Sequence, residues 1–270
     1  MAKKKKRTRK KKIILIESNC PHCNFKWQRK VGLKRVQCPA CKKIIEKNNC
    51  KIKEESGFIP EKKYKIFRDR LVELSGEKEK ERNLMLFQLG IATGYRLGDL
   101  VTLTIGDILD ALEEGEFYIQ ESKQYKLWEY REKQRRKKLL AGEKVPSEKL
   151  PKPRRQGITD YLRKLLTEYC EGKRRSEYAF VSSTNPPNHI QASSFSKILK
   201  KVSEDKQLQL KNISGHSLRK TYAMNIYEDT RDIEFTRKRL GHKNVMTTQL
   251  YLGLDKRKEE RVDNNLQRKL

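Results

Sequence analysis

This chain has no long apolar run at its start. Ile13-Ile14-Leu15-Ile16 stands alone behind a stretch, Met1 to Lys12, that holds nine lysines and arginines. A signal peptide needs about 7–15 apolar residues there and a membrane helix about 20, so the sequence excludes both. Acidic residues are also in short supply. There are 35 Asp and Glu against 64 Lys and Arg, a formal net charge of +29 over 270 residues. Solubility alone does not call for such an excess, and it points to a polyanion, nucleic acid first. The absence of any repeat with a period of 20–50 residues excludes solenoids and propellers. Residues 1–12 read as a basic, phosphate-seeking arm without fixed structure.

Residues 13–50 lack the apolar side chains to fold unaided, and they carry a substitute. Four of the six cysteines form two pairs, Cys20-Pro21-His22-Cys23 and Cys38-Pro39-Ala40-Cys41. Two tight turns that each present two thiolates match the tetrahedron zinc prefers, and four thiolates leave no open position for catalysis. Such pairs belong to a reducing compartment, so the chain reads as cytoplasmic. The alternating stretch from Phe25 to Gln37 predicts a single hairpin between the knuckles. Phe25 and Trp27 read as a small core, while Lys26, Arg29, Lys30, Lys34 and Arg35 suit a DNA backbone. The unit resembles the zinc ribbons, which implies structural zinc on Cys20, Cys23, Cys38 and Cys41. Cys50 and Cys170 have no visible partner.

The remainder reads as mainly helical with a small β-sheet, an α+β class. Residues 51–77 read as a linker with one short helix near Tyr64–Leu74, started by Pro60 and Glu61 and stopped by Gly76. A second helix runs from Lys78–Arg82 through densely apolar residues to Gly94, followed by a packed turn at Leu97–Leu103. Phe117-Tyr118-Ile119-Gln120 reads as a strand. Between Gln124 and Arg155 lies a polar segment with eleven cations from Arg131 onward. Residues 131–140 read as helical there, and the segment's charge suggests a flap on DNA. Thr159 caps an amphipathic helix, Ala179-Phe180-Val181 reads as a short buried strand, and further helices are predicted at Ser193–Val202, His216–Tyr227, Ile233–Leu240 and Met246–Leu254.

Three boxes carry chemistry: Thr93-Gly94-Tyr95-Arg96, His216-Ser217-Leu218-Arg219, and Leu240-Gly241-His242 with Tyr251 nine residues on. Any one is noise, since an isolated Arg is usually solvated and an isolated Tyr usually packed. Together they suit a phosphodiester. Attack on phosphorus builds charge on the non-bridging oxygens, and Arg96 and Arg219 stay charged and donate in pairs. His242 adds a donor. A phenol with a pKa near 10 needs a base or a strongly positive site to attack at neutral pH, and His216 is a suitable acceptor. The leaving oxygen needs a proton, which a lysine such as Lys123 can give, with Lys126 as a rival.

Residues 78–258, on these boxes and their order, resemble the catalytic domain of the tyrosine recombinases, the phage integrase family. The resemblance implies Tyr251 as nucleophile, Arg96, Lys123, His216, Arg219 and His242 as its catalytic partners, and a 3′-phosphotyrosine intermediate that needs no cofactor. It implies double-stranded DNA as substrate and a homo-oligomer, a tetramer, on DNA, with residues 259–270 as a docking tail. The family carries a helical core-binding domain ahead of the catalytic one, and about 25 residues between ribbon and catalytic domain cannot build it. The leading reading is a site-specific DNA recombinase; that departure argues for a second, a catalytically inactive DNA-binding regulator with the same fold, and the full set of Tyr251 and both arginines argues against it. A third is a zinc-ribbon adaptor for nucleic acid whose larger domain only scaffolds.

Overall fold

The computed structural model describes residues 15–19, 23, 25–30, 35–42, 44–46, 56–254, 262–264 and 267–268. The basic arm, Cys20, His22, Cys50 and most of the C-terminal tail lie outside the described residues. The chain divides into two units, Met1–Glu54 and Glu55–Leu270.

In the first unit β1 (Leu15–Asn19) pairs antiparallel with β2 (Lys26–Lys30), and β3 (Arg35–Gln37) with β4 (Ile44–Glu46). The expected hairpin joining 25–29 to 34–37 is therefore corrected. β2 and β3 each pair outward, so in sequence each Cys-x-x-Cys pair lies between the two strands of one hairpin. Alternation along a strand identifies the strand but not its partner. Phe25 and Trp27 stack with ring centroids 6.4 Å apart.

The second unit is built around α2 (Lys80–Thr93), buried on nearly all sides, and α8 (Gly215–Thr230), buried from Ser217 to Met224. A helix apolar all round belongs in a core. Around them pack α1 (Glu61–Glu73), α3 (Leu97–Leu100), α4 (Ile105–Glu114), α6 (Asp160–Cys170) and α7 (Ala192–Ser203). The helix expected within a linker is α1, and its Phe67 and Leu71 are fully buried in this core. α4 was not anticipated. It opens on a capping box between Thr104 and Asp107, which satisfies two of the backbone donors at its start. Residues 179–181 contribute only an isolated bridge, Val181 to His189, rather than a strand. Cys170 is a buried core thiol whose pKa is raised by that burial.

One antiparallel pair, β5 (Glu116–Ile119) with β6 (Arg154–Gly157), stands beside the helices. Between its strands lies α5 (Ser122–Leu140), longer than the helix expected at 131–140 and without a buried residue. α9 (Ile233–Leu240) and α10 (Val245–Leu252) close the fold against α8. Their seam is a second, smaller core of Tyr222, Ala223, Met224, Leu240 and Leu252, with Tyr251 packed at its edge.

Candidate active site

Each functional side chain sits at the end of an element. α2 ends at Gly94, whose φ of 59° lies in the left-handed region open to glycine. A Cβ there would meet the Tyr222 ring at 2.2 Å. This tight turn delivers Arg96 to the N-cap of α3. His216 and Arg219 lie in the first turns of α8, one exposed and the other buried. His242 follows the Gly241 cap of α9, and Tyr251 is carried on α10. Lys123 stands in the first turn of α5. Asp99 of α3 fixes that turn by accepting from the Ser122 backbone N–H at 3.2 Å and from the Ser122 hydroxyl.

Arg96, Lys123, His216 and Arg219 line one cavity of about 610 Å³, and so does Lys126. Tyr251 approaches from the α10 side, and its hydroxyl donates to the His216 backbone carbonyl at 3.3 Å. The His242 ring meets the Tyr251 ring edge-on, centroids 5.6 Å apart, and its Nδ1 lies 3.0 Å from Thr248 Oγ1. All six expected residues thus lie at or beside one place, with Lys123 and Lys126 equally represented in the cavity wall.

Two residues of the site had no signal in the sequence. Glu121, 3% exposed, is the common counter-ion of three arginines. Arg219 Nη1 donates to its Oε1 at 2.5 Å, Arg96 Nη1 lies 2.5 Å from Oε2, and Arg154 Nε lies 3.8 Å from Oε1. Arg154 is buried over the Tyr95 ring at 3.9 Å and donates to the Thr93 and Arg239 carbonyls. Arg219 also donates to the carbonyls of Gly94 and Leu240, which ties α8 to the ends of α2 and α9. Among the described residues, Arg96 Nη1 and Arg154 Nε are buried donors that complete no aligned hydrogen bond.

The electrostatics follow from this crowd of cations. Burial would raise the Glu121 carboxyl, but Arg219, Arg96 and Arg154 outweigh it and hold its pKa below the usual value. Desolvation, then Arg219, Arg96 and Lys123, lower the pKa of His216. Desolvation, then Arg219 and Arg96, take His242 down to about 4. Both imidazoles are neutral at pH 7. Burial pushes Tyr251 up to about 12 even though Arg219 and Arg96 pull the other way. Tyr251 is therefore a neutral phenol at pH 7.

In the first unit, the described thiols of Cys23, Cys38 and Cys41 lie within 4.8 Å of one another. The Cys23 and Cys38 sulfurs are 3.7 Å apart. That is far beyond the ~2.05 Å of a disulfide. It matches the edge, about 3.8 Å, of a tetrahedron with zinc–sulfur bonds of ~2.3 Å.

A mainly helical domain that lines one cavity with two arginines and a histidine, and sets a tyrosine and a second histidine beside it, belongs to a class suited to phosphoryl transfer. The chain belongs to the phage integrase family, whose model matches residues 64–258. It is similar to a probable integrase/recombinase of Bacillus subtilis, YoeC, at 25% identity over 65% of this chain and 79% of that protein. It is 27% identical to the tyrosine recombinase XerS of Streptococcus sanguinis over 66% of this chain and 43% of the relative. Among solved structures it resembles the XerH site-specific recombinase in a post-cleavage complex with a palindromic difH substrate. The TM-score there is 0.53 at 17% identity, over 76% of this chain and 51% of that one. The chain thus spans less than half of XerS and about half of XerH.

Proposed function

We propose that this protein is a site-specific DNA recombinase that cleaves and rejoins double-stranded DNA through Tyr251. The observation that carries the reading is the convergence of Arg96, Lys123, His216 and Arg219 on one cavity, with the Tyr251 hydroxyl 3.3 Å from the His216 carbonyl. The Tyr251 oxygen attacks the phosphorus, the bond from phosphorus to the 5′ oxygen breaks, and a 3′-phosphotyrosine forms. Arg96 and Arg219 hold the non-bridging oxygens, with Arg96 the more exposed of the two on the cavity wall. A phenol near 12 does not ionise at pH 7, so the neutral His216 ring takes its proton. His242 donates to the phosphate. Lys123 protonates the departing 5′ oxygen, with Lys126 on the same wall as its rival. The exchange conserves the energy of the phosphodiester and needs no cofactor.

The reading extends to a DNA-associated protein that works as a homo-oligomer, a tetramer, on DNA, and to one structural zinc held by Cys20, Cys23, Cys38 and Cys41. The zinc would supply the fold of the first unit and take no part in strand transfer. The competing reading is an inactive DNA-binding regulator. The test is recovery of covalent protein–DNA complexes from cells expressing the chain, with Tyr251→Phe as control and sequencing of the trapped DNA. Recombination chemistry predicts adducts at a recurring sequence that vanish in the variant while DNA affinity stays. Strong binding without any Tyr251-dependent adduct selects the regulator.

A further inference from the structure

The connection between β5 and β6 is a helical arm, and one face of it is a row of cations. α5 runs for 19 residues with none buried. Lys123, Lys126, Tyr130, Lys133 and Lys137 follow one another at steps of three and four, so they share one face of the helix. All five are exposed, Tyr130 to 62%. Among the described residues none of these four lysines forms an ion pair. Of the acids on the arm, Glu129 is exposed at the edge of the row, four residues before Lys133, and forms no ion pair among the described residues, while Glu132 and Glu148 are engaged elsewhere. Glu132 is held by Arg135 at 2.7 Å and Arg136 at 3.3 Å on the far side of the helix. Glu148, on the chain returning from α5, pairs with Arg131 at 2.7 Å, and its carbonyl accepts from the Trp128 indole at 3.1 Å. The return segment therefore covers the Trp128 side and leaves the lysine face open.

The row begins inside the wall of the catalytic cavity, because Lys123 and Lys126 line it beside Arg96 and Arg219. From there to Lys137 the helix rises about 21 Å, a length over which one strand of duplex DNA carries about six phosphates. We propose that this face of α5 lies along the phosphate backbone leading away from the scissile bond, with Tyr130 seated among the lysines as a hydroxyl donor to the same backbone. The proposal rests on the reading that the cavity takes a DNA phosphate. Contacts of this kind position the duplex and carry no base information.

The test measures the affinity of the full chain for a random duplex of about 40 bp between about 50 and 200 mM salt. The stripe variant is Lys133→Gln with Lys137→Gln. The control, Arg131→Gln with Arg135→Gln, removes the same charge from the opposite side, where these arginines pair with Glu148 and Glu132. Two lost phosphate contacts lower the slope of log affinity against log salt by about 1.8, so the stripe variant's affinity falls about 12-fold less than the wild type's across that range. The control keeps the wild-type slope. An unchanged slope in the stripe variant, or an equal fall in the control, overturns the proposal. If the wild type still yields Tyr251-dependent adducts in that case, the stripe alone is wrong. If the wild type shows neither adducts nor salt-dependent binding, the recombinase reading fails with it.

Discussion

At the scale of single residues, the site is organised by a carboxylate that no motif marks. Arg96, Arg219, His216, His242 and Tyr251 were legible because their spacing within and between boxes is fixed by short turns and one face of a helix. Glu121 was not, because its partners are distant in sequence, Arg219 by 98 residues, and a lone acid at a strand end resembles any other. Its role has a cost in stability that can be measured. Removing one partner of a buried ion pair destabilises by about 3–5 kcal/mol, since the other charge is left uncompensated. Glu121→Gln is therefore expected to lower the melting temperature at pH 7 by roughly 6–20 °C. The pH dependence has a definite sign. The Glu121 pKa is depressed in the folded state, so its contribution is present above the unfolded value near 4.5 and is lost as pH falls through the folded one. His216 and His242 are also depressed, and their contributions, present above about 6.5, decline over a higher window that reaches about 4 for His242. Thermal melts from pH 7 down to pH 3 should show both declines in the wild type and only the histidine portion in Glu121→Gln. Matching melts for the two proteins across the series would rule out the counter-ion role.

At the scale of elements, the helices with clear caps and one apolar stripe were legible. α6 begins at Thr159 as its sequence dictates, and α9 ends at Gly241, a glycine with φ of 66°. α4 carried an equally good signal in Thr104 and Asp107, and only the densely apolar segment before it obscured that signal. α5 began nine residues earlier than expected, because residues 122–130 combine strand-like aromatics with lysines and no local rule separates the two. The hairpins around the cysteines were misassigned because pairing is a tertiary choice. The element boundary that matters most to chemistry is Gly94, where α2 stops and Arg96 is presented. Gly94→Ala would place a side chain in the left-handed region and against the Tyr222 ring, at a combined cost of about 2–5 kcal/mol. The turn would have to shift to relieve that clash. A displacement of ~1 Å at a reacting group costs about 10²-fold in rate. The variant is expected to lose adduct formation by that order at a temperature where it remains folded, with its melting temperature lowered. Wild-type adduct rates in Gly94→Ala would mean that this turn does not set the position of Arg96.

At the scale of the whole molecule, composition points to a polyanion and the cysteine pairs to zinc, and the division into Met1–Glu54 and Glu55–Leu270 makes the zinc reading testable unit by unit. The second unit has a large apolar core of its own, with Phe67, Leu86, Phe180, Phe195 and Leu218 fully buried. Among its described residues the first has two short hairpins, a stacked Phe25–Trp27 pair and a cluster of thiols, too little apolar surface to hold a fold without a crosslink. Metal removal should therefore unfold one unit and leave the other. Trp27 and Trp128 are the two tryptophans of the chain, so Trp128→Phe leaves Trp27 as a reporter of the first unit. In that background the purified protein is expected to carry about one zinc per chain. A chelator should release the metal and shift Trp27 emission to the red, and added zinc should restore it. Cys38→Ser should start in the shifted state. The main thermal transition, which belongs to the helical unit, should stay within a few degrees throughout, because none of its core residues depends on the metal. If that transition moved with the metal, the two units would share one cooperative core. If the red shift failed to appear although zinc was released, the thiol cluster would bind metal without holding up the first unit.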